Sequence, residues 1–126
     1  MNNKNDWGLL LIRLSLAGVF LFHGISKIMN LPGTVGFFGQ LGLPAFLAYA
    51  VAFGETLAGL AMMSGLYTKY AGWFIAAVMA GAVYFAKFPS GGLQASEFEL
   101  VLLVVALGVS LVGPGSYTVK RWLGKS

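Results

Sequence analysis

The sequence contains no cysteine, a single histidine and few charges of either sign. Without cysteine there are no disulfides, no thiolate metal sites and no Cys-ligated iron–sulfur clusters. One histidine, His23, does not make a bis-histidine haem site within one chain, and the five methionines form no ligand pattern, so no intrinsic haem and no metal site are expected. Charged residues make up 10% of the chain, against roughly 25% in ordinary soluble domains. The eight basic residues outnumber the four acidic ones, but they are scattered and form no stripe of the kind that tracks nucleic acid. Nucleophile motifs, phosphate loops and dinucleotide fingerprints are also absent.

Apolar residues dominate instead: 58% of the 126 residues are hydrophobic, and the mean hydropathy is +0.81. A soluble fold of this composition would expose large apolar patches, so lipid is the natural solvent. A spanning helix needs roughly 17–25 residues. Four apolar runs approach or meet that length, at about 7–29, 44–66, 70–88 and 97–112, the last being the shortest. They are continuous rather than alternating, which argues against a β-barrel. The expected fold is all-α: a single transmembrane domain over 1–126, built as an integral membrane four-helix bundle. The first run follows a short polar start, contains Arg13 and lacks a small-residue cleavage site, so it is expected to remain as a spanning helix.

Between the first two runs, Gly33, Gly36, Gly39 and Gly42 recur every third residue between Pro32 and Pro44. So many glycines weaken a helix, and the segment reads as a loop with an interfacial or partly re-entrant piece, or as a plain outer loop. Gly65 is placed to end the second helix and Thr68 to cap the third. Pro89 to Gly92 reads as a turn, Ser96 as a cap for the fourth helix with Glu99 three residues on, and Gly113-Pro114-Gly115 as its stop. Rows of small residues, Ala50, Gly54 and Ala58 in the second run and Gly72, Ala76 and Ala80 in the third, predict helix–helix contact faces.

An even number of crossings puts both ends on one face. Lys4, Lys69, Lys120, Arg121 and Lys125 lie there, against Lys27 and Lys87 on the other, and Trp7, Trp73 and Trp122 fall on the richer side. Basic residues concentrate in cytoplasmic loops and amphipathic rings at the interfaces, so the N- and C-termini are expected to be cytoplasmic.

The few charges within the runs carry the functional argument. At 100° per residue, Arg13, Phe20 and Lys27 share one side of the first helix, with His23 beside Lys27. A charge facing lipid costs on the order of 2.5–3.5 kcal/mol, so this stripe should face inward. Glu55 lies mid-way along the second run, about 7–8 Å in depth from Arg13 if the two helices are opposed. Two layers follow: Arg13 with Glu55, and His23 and Lys27 with Glu97 or Glu99. They fit either a polar ligand pocket or ion pairs that only fix helix packing.

The ordered set Arg13, Gly18, Phe20, Gly24, Lys27, then Gly42-Leu43-Pro44, Gly54-Glu55 with Gly59, Gly65-Leu66 and Gly113-Pro114-Gly115-Ser116 resembles the DoxX family from about residue 9 to residue 117. The resemblance implies a membrane bundle tied to respiratory quinone chemistry or thiol redox partners. It carries Arg13, Lys27 and Glu55 over directly, and Glu97 or Glu99 as the acidic start of the last helix. The family's frequent His at the end of the third helix is replaced by Tyr84 to Lys87, and its Asp after the Gly-Pro-Gly turn is missing. The function so implied is an accessory or subunit of a quinone-linked redox system in the inner membrane. A quinone would be held by Arg13, His23, Lys27, Glu55, Glu97 and Glu99, with Glu55 or His23 as the proton carrier if the protein is catalytic. The bilayer, a redox partner protein and a homo-oligomer are the partners it admits. A non-catalytic scaffold or chaperone bundle is the alternative, and a transporter is disfavoured by the lack of an internal repeat.

Overall fold

A computed structural model describes residues 3–124, and these are helical nearly throughout, with no strand among them. In chain order the helices are α1 (Asn3–Met29), α2 (Leu31–Gln40), α3 (Ala45–Ser64) and α4 (Thr68–Ala82), followed by a π-helical turn (Val83–Lys87). Then come α5 (Phe88–Ala95), α6 (Glu97–Val112) and α7 (Val119–Gly124). Three runs are long and apolar enough to cross a membrane: Lys4–Met29, Ala45–Ser64 and Thr68–Ala95. α6 matches the fourth expected run residue for residue, but its 16 residues extend only about 24 Å against a hydrocarbon core of about 30 Å.

The helices pair as α1 against α3 and α4 against α6, and α3 and α4 join the two pairs. Small residues let them approach. A methyl group on Gly24 would strike the backbone of Thr56, and one on Gly59 the backbone nitrogen of Leu21. Gly72 is closed off by Ser110 Oγ and the carbonyl of Ala106. The core is modest in side-chain size, with Leu16, Phe20, Met62 and Ile75 filling space among Ala17, Ala58, Ala71 and Ala106. Larger apolar side chains point outward instead, among them Phe22, Leu57, Val104 and Leu111. Small residues inside and bulky apolar ones outside is the arrangement lipid favours, because lipid gives no hydrophobic drive to bury the bulky ones and close packing must hold the helices together. The expected small-residue rows are only partly contact faces: Gly54 abuts the Phe74 ring, whereas Ala50 and Ala80 are exposed.

The glycine-rich segment is a helix, not a loop. Asn30 Oδ1 accepts from the Gly33 amide at its start and Pro32 sits in its first turn, both favourable at a helix N-terminus. Phe38 is buried and α2 packs on α3, while Phe37 is half exposed. Two caps also differ from expectation. Tyr67, not Thr68, is the residue before α4, and no side chain caps that helix. Ser96 leaves the start of α6 uncapped and donates its hydroxyl back to the carbonyl of Gly92. Gly65 does end α3 in the left-handed conformation. The stretch 89–92 lies within a helical run that Gly91 and Gly92 break.

Candidate functional site

The buried face of α1 carries Asp6, Arg13, Leu16, Ala17, Phe20 and Gly24, a spacing of three, four and seven that keeps them on one stripe. Lys27, seven residues beyond Phe20, continues the stripe at the far end and is half-buried. The inward polar stripe read from the helical wheel is therefore present, but its partners are not those expected.

Arg13 does not pair with Glu55. It is fully buried, and its guanidinium donates to four backbone carbonyls: Nε to Met62 at 2.9 Å, Nη2 to Met63 at 3.2 Å, and Nη1 to Pro114 at 3.0 Å and Tyr117 at 2.8 Å. Met62 and Met63 lie in the last turn of α3, where carbonyls lack partners within the helix and a cation meets the negative end of the helix dipole. Arg13 thus caps α3 and ties the turn after α6 to it. Asp6, which the sequence reading passed over, reinforces the tie by accepting from the Ser116 amide at 3.1 Å. Its position seven residues before Arg13, on the same stripe, was the available signal.

The register explains the failed pair. α1 and α3 run antiparallel with Gly24 against Thr56 and Leu21 against Gly59. Glu55 is therefore level with residue 25, about 18 Å along the axis from Arg13, more than twice the expected offset. Its partner is Lys27, whose Nζ donates to Oε1 at 2.6 Å. Glu55 is 1% exposed, whereas the Lys27 side chain is 28% exposed, so the pair has one sealed and one accessible end. His23, one turn before Lys27, is half-buried and lies edge-on to Phe22. It makes no hydrogen bond or ion pair among the described residues.

The second expected layer divides. Lys27 goes to Glu55, Glu99 goes to Lys87 at 3.4 Å, and Glu97 is exposed. Glu99 is nonetheless buried, and its Oε1 has no hydrogen-bond partner. The six expected site residues thus fall into a structural cap (Arg13), a half-open ion pair with a neighbouring imidazole (Lys27, Glu55, His23), a second ion pair at the start of α6 (Glu99 with Lys87) and a surface residue (Glu97).

Comparison with known proteins agrees with the sequence motifs. The DoxX family profile matches residues 8–88, which covers Arg13, His23, Lys27 and Glu55 and stops before α6. The Bacillus subtilis (strain 168) protein named "Putative oxidoreductase CatD" is 34% identical over 113 residues, covering 90% of this chain and 84% of the relative. The "Inner membrane protein YqjF" of Escherichia coli (strain K12) is 27% identical over 129 residues, covering 99% and 98% of the two chains. No solved structure matches. Three helices able to cross a bilayer give the chain a membrane location, and the profile match over most of its length shows that it belongs to the DoxX family.

Proposed function

We propose that this protein is an inner-membrane accessory or subunit of a quinone-linked redox system, and that its small-molecule site is organised on Lys27 and Glu55. In this reading α1, α3, the α4–α5 run and α6 form a four-helix transmembrane bundle with both termini in the cytoplasm. α2 lies at the opposite interface, over the end of the bundle that holds Lys27. The observation that carries the proposal is the half-open pair itself. A carboxylate sealed inside apolar helices is costly unless it is paired, and intramembrane ionisable groups mark functional sites by default. One of the three Lys27 N–H donors is directed at Glu55, and in this reading the other two serve a ligand carbonyl. In this reading His23, one turn before Lys27 on α1, relays a proton to that pair. Quinone reduction consumes protons and electrons. Glu55 and His23 supply only the protons, so the electrons come from a partner carrying flavin, haem or metal, or from a thiol donor. The relative named as an oxidoreductase supports the redox setting.

The scaffold reading has one observation in its favour: four of the five Arg13 N–H donors go to backbone carbonyls, which is an architectural use of the charge. Purification in mild detergent, followed by solvent extraction and mass spectrometry, separates the two. The redox reading expects a quinone in near-stoichiometric amount; a quinone-free protein that co-purifies with a stoichiometric partner is the scaffold outcome.

A further inference from the structure

Away from the Lys27–Glu55 pair, a groove of about 360 Å³ opens between the α4–α5 run and α6, lined by Ala80, Val83, Tyr84, Phe88, Leu100 and Leu103. Its size falls within the roughly 300–1,000 Å³ of small-molecule sites, and its lining is apolar apart from the Tyr84 hydroxyl. The π-helical turn Val83–Lys87 forms part of one wall, with the Phe88 amide reaching back to the Val83 carbonyl. Such widened turns occur mostly as single insertions in α-helices and often at functional sites.

Helix spacing sets two charges beside these lining residues, Lys87 one turn beyond Val83 and Glu99 one turn before Leu103. Lys87 also directly precedes Phe88, and Glu99 directly precedes Leu100. The two charges meet at 3.4 Å through Glu99 Oε2. Glu99 is only 8% exposed, and its Oε1 is buried without a hydrogen-bond partner. A buried carboxylate oxygen with no donor is costly. The site therefore calls for an N–H or O–H donor at Glu99, an acceptor for the remaining Lys87 donors, and an apolar chain along the groove.

We infer that this groove is a binding site for one phospholipid with a primary-ammonium, zwitterionic headgroup of the phosphatidylethanolamine type. The ammonium donates to Glu99, the phosphate accepts from Lys87 through charge-assisted hydrogen bonds, and an acyl chain lies along Val83, Leu100 and Leu103. Charge complementarity selects the occupant. A phosphatidylcholine headgroup has the same net charge but no N–H to donate, and a phosphatidylglycerol headgroup offers hydroxyl donors but no cation to balance the Glu99 carboxylate, so it leaves the site with an added net negative charge. The inference requires the chain to lie in a bilayer but not the quinone reading, since it uses neither Lys27 nor Glu55.

The test is native mass spectrometry of the full chain in detergent, delipidated and then offered equimolar phosphatidylethanolamine, phosphatidylcholine and phosphatidylglycerol. The unaltered protein is expected to retain one phosphatidylethanolamine at least about five-fold over either competitor. Glu99→Gln should erase most of that preference, and Leu103→Trp, which fills the groove, should reduce retention of all three lipids. Equal retention of phosphatidylethanolamine and phosphatidylcholine by the unaltered protein, better retention of phosphatidylglycerol, or no retention overturns the inference, whether or not the variants fold. Loss of a co-purifying quinone rather than of phospholipid in Leu103→Trp would assign the groove to a quinone and overturn it as well.

Discussion

Arg13 and Lys27 are cations on one face of α1, yet different chemistry holds them. Arg13 spreads a planar fork over four carbonyls from two segments, a geometry that a lysine ammonium does not reproduce. Arg13→Leu should cost at least about 3 kcal/mol, since several buried carbonyls lose their donor, and Arg13→Lys should recover only part of it; denaturant titration in mixed micelles measures both. Because Arg13 and Glu55 share no partner and lie far apart along the helices, a double-mutant cycle between them should give a coupling within about 0.5 kcal/mol of zero. A coupling above about 1.5 kcal/mol would restore the pair expected from sequence. The sequence made the inward placement of Arg13, Lys27 and Glu55 legible, since each interrupts an apolar run, although Lys27 is only half-buried. It did not make the partners legible, because a backbone carbonyl at a helix end leaves no mark in side-chain chemistry.

At the scale of elements, hydropathy located α1, α3, α4 and α6, whose apolar runs are long enough to declare themselves. It missed the helix in the glycine-rich segment, where low propensity outweighed the Asn30 and Pro32 start signals. It also missed the register of α1 on α3, which the close approaches at Gly24 and Gly59 decide and which depends on two elements at once. The glycines divide accordingly. Gly72→Ala would push a methyl into Ser110 and the Ala106 carbonyl and should destabilise the α4–α6 pair by about 1–3 kcal/mol. Gly18→Ala and Gly108→Ala meet open space within helices and should be neutral or stabilising by about 0.5–1 kcal/mol. Unfolding titrations of the three variants test the division. In α2, a cysteine at Phe37 should react quickly with a bulky water-soluble maleimide and one at Phe38 slowly, given their difference in exposure. Equal fast rates would mean that α2 does not pack on α3.

At the scale of the whole molecule, an apolar exterior encloses a few charged positions spaced along the interior. Arg13 and Asp6 close one end by fixing the turn after α6, and Lys27 and Glu55 lie toward the other. The orientation we propose puts the Arg13 end in the cytoplasm, so phosphatase fusions at both termini should be inactive where a periplasmic reporter would be active. An active fusion at Ser126 would reverse or break the four-crossing topology. We propose that Lys27 and Glu55 are there for a ligand and not only for packing. Breaking one side of a buried pair typically costs about 3–5 kcal/mol, whereas replacing both sides with apolar groups is often neutral. The most direct measurement is therefore quinone content per protein, by extraction and mass spectrometry, in the Lys27→Leu/Glu55→Leu double variant beside its parent, with both checked for equal thermal stability. The expected double variant is about as stable as the parent and has lost at least about nine-tenths of the quinone the parent holds. A stable double variant that keeps the parent's quinone would contradict the proposal.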